Sequence, residues 1–146
     1  MMNGLLKHGR HLPANKKHSL EVLVLRGHLL IEREVFRLVE EQFRKPKVFD
    51  LSRMPFAVVL RLAEALYGSE VLDWVLEDTK QLNTIRNSIA HQLTDDTLAP
   101  RIKRFVSRFE SREKKIFAFV GNTVNEKLAY CVASLHSEFL KIGKEV

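Results

Sequence analysis

The stretch S-L-E-V-L-V-L-R-G-H-L-L-I-E-R-E-V-F-R-L-V-E-E-Q-F, Ser19 to Phe43, decides the fold. Leu20, Leu23, Val24, Gly27, Leu30, Ile31, Val35 and Leu38 recur at intervals of three and four residues, the spacing of an apolar stripe along one side of an α-helix. A second line, Val22, Leu25, Leu29, Phe36 and Val39, is apolar as well. A helix apolar on more than one side has to be covered on more than one side. The segment is therefore either the central helix of a bundle or one half of an oligomer interface. Lys45-Pro46 ends it, because proline disfavours a helical conformation at the residue before it.

Working outward, the same period returns in every later segment. Ser52 is expected to cap a second helix with Pro55 in its first turn and Phe56, Val59, Leu60, Ala63 and Leu66 on its core side. Gly68 supplies the stop expected just past a helix end. From Ser69, Val71, Leu72, Val75, Leu76, Leu82, Ile85 and Ile89 keep helical spacing, with Trp74 as a core or interface anchor. Another helix is predicted from about Pro100, carrying Ile102, Phe105, Val106 and Phe109. A last one, from about Lys114 to Ile142, is predicted to break at Gly121-Asn122. No segment alternates with the two-residue period of a strand. The expected fold is all-α, a single bundle of about five helices over residues 19–146, preceded by a loose basic arm over residues 1–18.

The 146 residues suit one domain with its own core. Hydrophobic residues make up 45% and charged residues 29%, the composition of a soluble globular chain. Cys131 is the sole cysteine, which excludes an intrachain disulfide and points to a reducing cytoplasm; its apolar neighbours indicate core packing. No apolar run approaches the roughly 20 residues that span a bilayer, and the first residues do not read as a signal peptide. The formal charge of +6 favours anionic partners, nucleic acid first. Much of that charge sits between Arg101 and Lys115, where Arg101, Lys103, Arg104, Arg108, Arg112, Lys114 and Lys115 face only Glu110 and Glu113. Arg101, Lys103 and Arg104 are the residues expected to track phosphates, although such a run is as often a solvated face.

Chemistry concentrates in Leu82-Asn83-Thr84-Ile85-Arg86-Asn87-Ser88-Ile89-Ala90-His91. An arginine that can hold a phosphate, an amide that can orient it and an imidazole, the side chain that exchanges protons near neutral pH, close an apolar helix at a polar break. Five residues advance about 500° on a helix, leaving Arg86 and His91 about 140° apart, whereas Asn87 and His91 share a side. Either the helix ends directly after Ala90, or the working site combines residues from two copies. The local alternative is that Arg86 pairs with a helix carboxylate while Asn87 and His91 cap the helix. Glu32 and Glu34 are possible partners for Arg86, His28 is expected to be a hydrogen-bonded core histidine, and His136 has no evident role. His8, His11 and His18 are irregularly spaced, with no cysteine or carboxylate beside them to complete a metal site.

The pattern R-N-S-I-A-H at Arg86–His91 resembles the signature of the HEPN superfamily, helical domains with an arginine, four to six residues and a histidine. The resemblance extends over the helical core from about Leu20 to Leu140. It implies a metal-independent endoribonuclease without a cofactor, in which Arg86, Asn87 and His91 are catalytic, leaving a 2′,3′-cyclic phosphate and a 5′-hydroxyl. It also implies a homodimer with two motifs facing one cleft, and a role as the toxin of a toxin–antitoxin or phage-defence pair with a protein partner. Ile85 to Leu98 is similar, less specifically and over about half of the chain, to the helical mannitol-repressor family, which implies a non-catalytic regulator or an RNA- or protein-binding module.

Overall fold

The computed structural model describes residues 14–91, 95–117 and 121–143. They form α1 (Ala14–Glu40), α2 (Phe56–Tyr67), α3 (Asp73–Ala90), α4 (Asp95–Arg112), the single turn α5 (Lys114–Phe117) and α6 (Val124–Lys141). The architecture is an all-α bundle of five long helices, with no strand among the described residues.

Helix α1, about 40 Å long at 1.5 Å per residue, is the axis of the bundle: α2, α3 and α6 all pack on it, α6 most extensively. Its core side is the first of the two apolar lines, with Leu20, Val24, Ile31, Val35 and Leu38 buried. The buried side of α6 is Leu128, Cys131, Val132, Leu135 and Phe139. The second line divides: Val39 is buried, whereas Leu25 and Leu29 stay 41% and 46% exposed, and Leu30 of the first line stays 43% exposed, so one copy of the chain does not cover every apolar side of α1.

Several boundaries move from their expected places. Helix α1 begins at Ala14, so residues 14–18, assigned to the arm, are helical; residues 1–13 lie outside the described set. Ser52 does not cap α2. The Asp50 carboxylate accepts from both the Ser52 amide (3.0 Å) and the Ser52 hydroxyl (2.5 Å), fixing a 3-10 turn at Leu51–Arg53, and α2 starts after Pro55. Gly68 does end α2, at φ +55°, a left-handed conformation that side chains other than glycine rarely adopt. Helix α4 starts five residues before Pro100, at Asp95. The break at Gly121-Asn122 is present, and Thr123 caps α6 by accepting from the Glu126 amide at 3.2 Å.

Helices α3 and α4 are clasped by charge. Asp78 is completely buried on α3, where its carboxylate is held by Arg112 and approached by Arg108 at 3.5 Å, both from α4. Arg112 also lies 4.3 Å from the centre of the Trp74 ring, and Trp74 meets Phe109 edge to face at 5.8 Å. A buried carboxylate is tolerated because two guanidinium groups and an aromatic wall replace its water.

The α1–α6 contact is closest at Gly27, where an added Cβ would lie 2.2 Å from Val132 Cγ1. Alanine gains up to about 1 kcal/mol over glycine in a helix, but overpacking typically costs about 1–3 kcal/mol. Gly27→Ala is therefore expected to lower stability by about 1 kcal/mol, and adding Val132→Ala to the same chain should remove that penalty. Urea unfolding of the four-member cycle measures it; outright stabilisation by Gly27→Ala would mean the helices are not in contact there.

Candidate functional site

The C-terminal half of α3 carries the motif. Arg86 is half-buried and Asn87 exposed; Arg86 Nη1 donates to Asn87 Oδ1 at 3.2 Å. The arginine and the amide are thus joined side by side, leaving the Asn87 amide group free to donate outward. His91 is exposed and caps the helix, its backbone N–H donating to Asn87 O at 3.0 Å. The helix ends at Ala90 as the polar break suggests, but helical hydrogen bonding continues to His91. The His91 imidazole forms no hydrogen bond or ion pair with the described residues.

Neither Glu32 nor Glu34 forms an ion pair with Arg86. Glu34 is bound to Arg37 at 2.7 Å, one turn along α1. Glu32 lies 3.4 Å from Nδ1 of His28. His28 is the satisfied core histidine expected of it, 2% exposed, with Nε2 3.0 Å from Asn83 Oδ1 on α3 and its ring edge-to-face with Phe56 of α2 at 4.7 Å. It ties three helices together directly beneath the motif. Burial pushes its pKa down to about 4; the nearby Arg86 charge adds to the depression and the hydrogen bond to Asn83 opposes it. The ring is therefore neutral at neutral pH, and its Nε2–H serves Asn83.

The basic run of α4 divides into two sets. Arg101, expected on the phosphate-binding surface, is half-buried and donates from Nη1 to Ser88 Oγ at 2.6 Å, while that hydroxyl donates to Thr84 O at 2.9 Å. It braces the motif helix. Arg108 and Arg112 are committed to Asp78, as above. Lys103 and Arg104 are exposed and remain open to solvent. The sequence reading missed Asp78, Thr79 and Ser88, all buried polar residues of α3. Asp78 did leave a signal: it sits three residues after Val75 and four before Leu82, an acid on the apolar side of its helix.

Cys131 is fully buried, and burial pushes its thiol up to about 12, which leaves it without thiolate character. Among the described residues no group of three or more histidines, cysteines and carboxylates is placed to hold a metal ion. His8 and His11 lie outside the described set. No described helix is long and apolar enough to cross a membrane. No protein-family model matches the chain, and no curated protein or solved structure does either.

His28 gives the fold a defined acid response. Its pKa lies near 6.5 in the unfolded chain and about 4 in the folded one, so on acidification the unfolded state takes up the proton first. The stability that its neutral burial contributes is complete above about pH 6.5 and declines as the pH falls towards 4. The loss amounts to roughly 3 kcal/mol. Unfolding free energies of wild type and His28→Gln between pH 7 and 4 should show a shallower decline in the variant. Parallel curves would mean that His28 titrates normally in the fold.

Proposed function

We propose that the chain is a metal-independent endoribonuclease of the HEPN type. The observation that carries this reading is the joined Arg86–Asn87 pair beside an exposed His91 at the solvent end of α3. Arg86 would hold the scissile phosphate and offset the charge that grows on its oxygens. Asn87, already fixed to that guanidinium, would orient a phosphate oxygen through its free amide group. His91 would move the proton, taking it from the ribose 2′-hydroxyl as that oxygen attacks phosphorus, or giving one to the departing 5′-oxygen. The bond formed is the 2′-oxygen–phosphorus bond and the bond broken is phosphorus–5′-oxygen, giving the cyclic phosphate and a free 5′-hydroxyl. Exposed Lys103 and Arg104 would attract the RNA backbone. Such an enzyme fits a toxin whose activity is restrained by a partner protein.

The site is completed by a second copy. On an ideal helix Arg86 and His91 lie about 140° apart, and no hydrogen bond joins them among the described residues, while the uncovered leucines of α1 supply an apolar surface for pairing. A two-fold dimer through that surface would let one chain's histidine work with the other's arginine. Sedimentation equilibrium at micromolar concentration is expected to give a dimer for wild type and a folded monomer for the double variant Leu25→Glu/Leu29→Glu. A wild-type monomer would remove the shared site.

The alternative, a non-catalytic helical regulator, draws on that same lack of contact between Arg86 and His91 within the chain. The decisive assay incubates wild type, His91→Ala and Arg86→Ala with mixed cellular RNA in EDTA. Wild-type cleavage should survive chelation, and His91→Ala should lose about 10²–10⁴-fold in rate, with stability changed by no more than about 0.5 kcal/mol because the side chain is exposed. An inert wild type, with His91→Ala chiefly lowering the Tm, would transfer the chain to the regulator class.

A further inference from the structure

The segment between α1 and α2, Arg44-Lys45-Pro46-Lys47-Val48-Phe49-Asp50-Leu51-Ser52-Arg53, sets four cations against one carboxylate. It is a built surface. Pro46–Val48 and Leu51–Arg53 are 3-10 turns, the first closed by the Val48 amide donating to Lys45 O at 3.1 Å. Leu51 is fully buried and anchors the segment to the core. Between the turns the backbone of Phe49 is extended, and its ring meets Phe43 edge to face at 6.0 Å. Even so, Val48 remains 80% and Phe49 50% exposed. Asp50 is engaged by Ser52 and lies 3.6 Å from Arg53, whereas Arg44, Lys45 and Lys47 form no ion pair among the described residues.

We propose that this segment is a docking platform for single-stranded RNA, with Phe49 stacking a base and Arg44, Lys45 and Lys47 holding the flanking phosphates. An aromatic face among cations is the combination that single strands require, since every base has a face to stack and every nucleotide a phosphate to neutralise. The centre of a protein–protein contact is depleted in lysine. An anionic bilayer takes up a wider apolar face than one valine and one phenylalanine provide. The segment leads into Phe56, which packs on His28, whose imidazole donates to Asn83 one turn before Arg86. This inference rests on the reading of RNA as the ligand, but not on cleavage.

The test uses the full chain carrying His91→Ala, so that RNA is not consumed, and a labelled twelve-nucleotide oligouridylate followed by anisotropy. In that background Phe49→Ala and Phe49→Leu should each weaken binding about tenfold, and Phe49→Trp should retain it. Lys45→Ala with Lys47→Ala should flatten the dependence of log Kd on log salt by about 1.4, the contribution of two phosphates on a single strand. Thermal unfolding of each variant confirms that it is folded, and Leu keeps an apolar side chain beside Phe43 while removing the aromatic face. Equal RNA binding by Phe49→Ala, Phe49→Leu and the parent overturns the platform even if cleavage is real. Phe49-dependent binding by a chain that cleaves nothing upholds the platform and removes the nuclease. Binding to phosphatidylserine vesicles, with none to RNA, overturns it in favour of a membrane surface.

Discussion

Everything else in the bundle is placed by the contact of α1 with α6, which closes to glycine distance at Gly27 and Val132. Two helices that approach this closely interlock their neighbouring side chains, so the register of Ile31, Val35 and Leu38 against Leu128, Leu135 and Phe139 is fixed along the whole interface. That register sets the rotation of α1 about its axis. The rotation then decides which residue meets α3, namely His28, and which stay exposed, namely Leu25 and Leu29. The site edge and the uncovered apolar surface are thus adjacent strips of one helix.

Charge does a different job from apolar packing in this fold. Removing Asp78 and its two arginines from water costs much of what their attraction returns, so the clasp adds little over an apolar trio of similar volume. What it provides is selectivity. Arg101, Arg104, Arg108 and Arg112 follow a three-and-four spacing along one side of α4, and burying Asp78 against that side selects its rotation. That rotation aims Arg101 at Ser88, inside the motif, and leaves Lys103 and Arg104 outside. The basic run is therefore part scaffold and part surface.

What was legible in the sequence followed from local rules. The three-and-four spacing gave the helices, Gly68 gave the end of α2 and Gly121-Asn122 the break before α6, because each depends on neighbours a few residues apart. The joining of Arg86 to Asn87 is local as well, yet the expected partner of Arg86 was a carboxylate. Illegible were the contacts spanning 13 to 55 residues: Arg101 with Ser88, Arg112 with Asp78, and His28 with Asn83. Each pairs a common residue with one of many candidates, and the choice is made by helix packing rather than by spacing. Ser52 was misplaced for a related reason. Two oxygens with capping chemistry, on Asp50 and Ser52, compete there, and the carboxylate takes the serine as its donor.

Cys131 lies in the middle of α6, fully buried, within electrostatic reach of Asp78 on α3 and Arg112 on α4, and with a thiol that resists ionisation. A thiol reagent in solution cannot reach it until the packing around α6 opens. Its rate of alkylation is then a clock on the opening of the core, read at a single atom and without adding a label to the chain. Because opening must precede modification, the dependence of that rate on reagent concentration distinguishes slow separation of the helices from rapid, repeated breathing. The protein carries its own gauge of how firmly the surface beneath its motif is held.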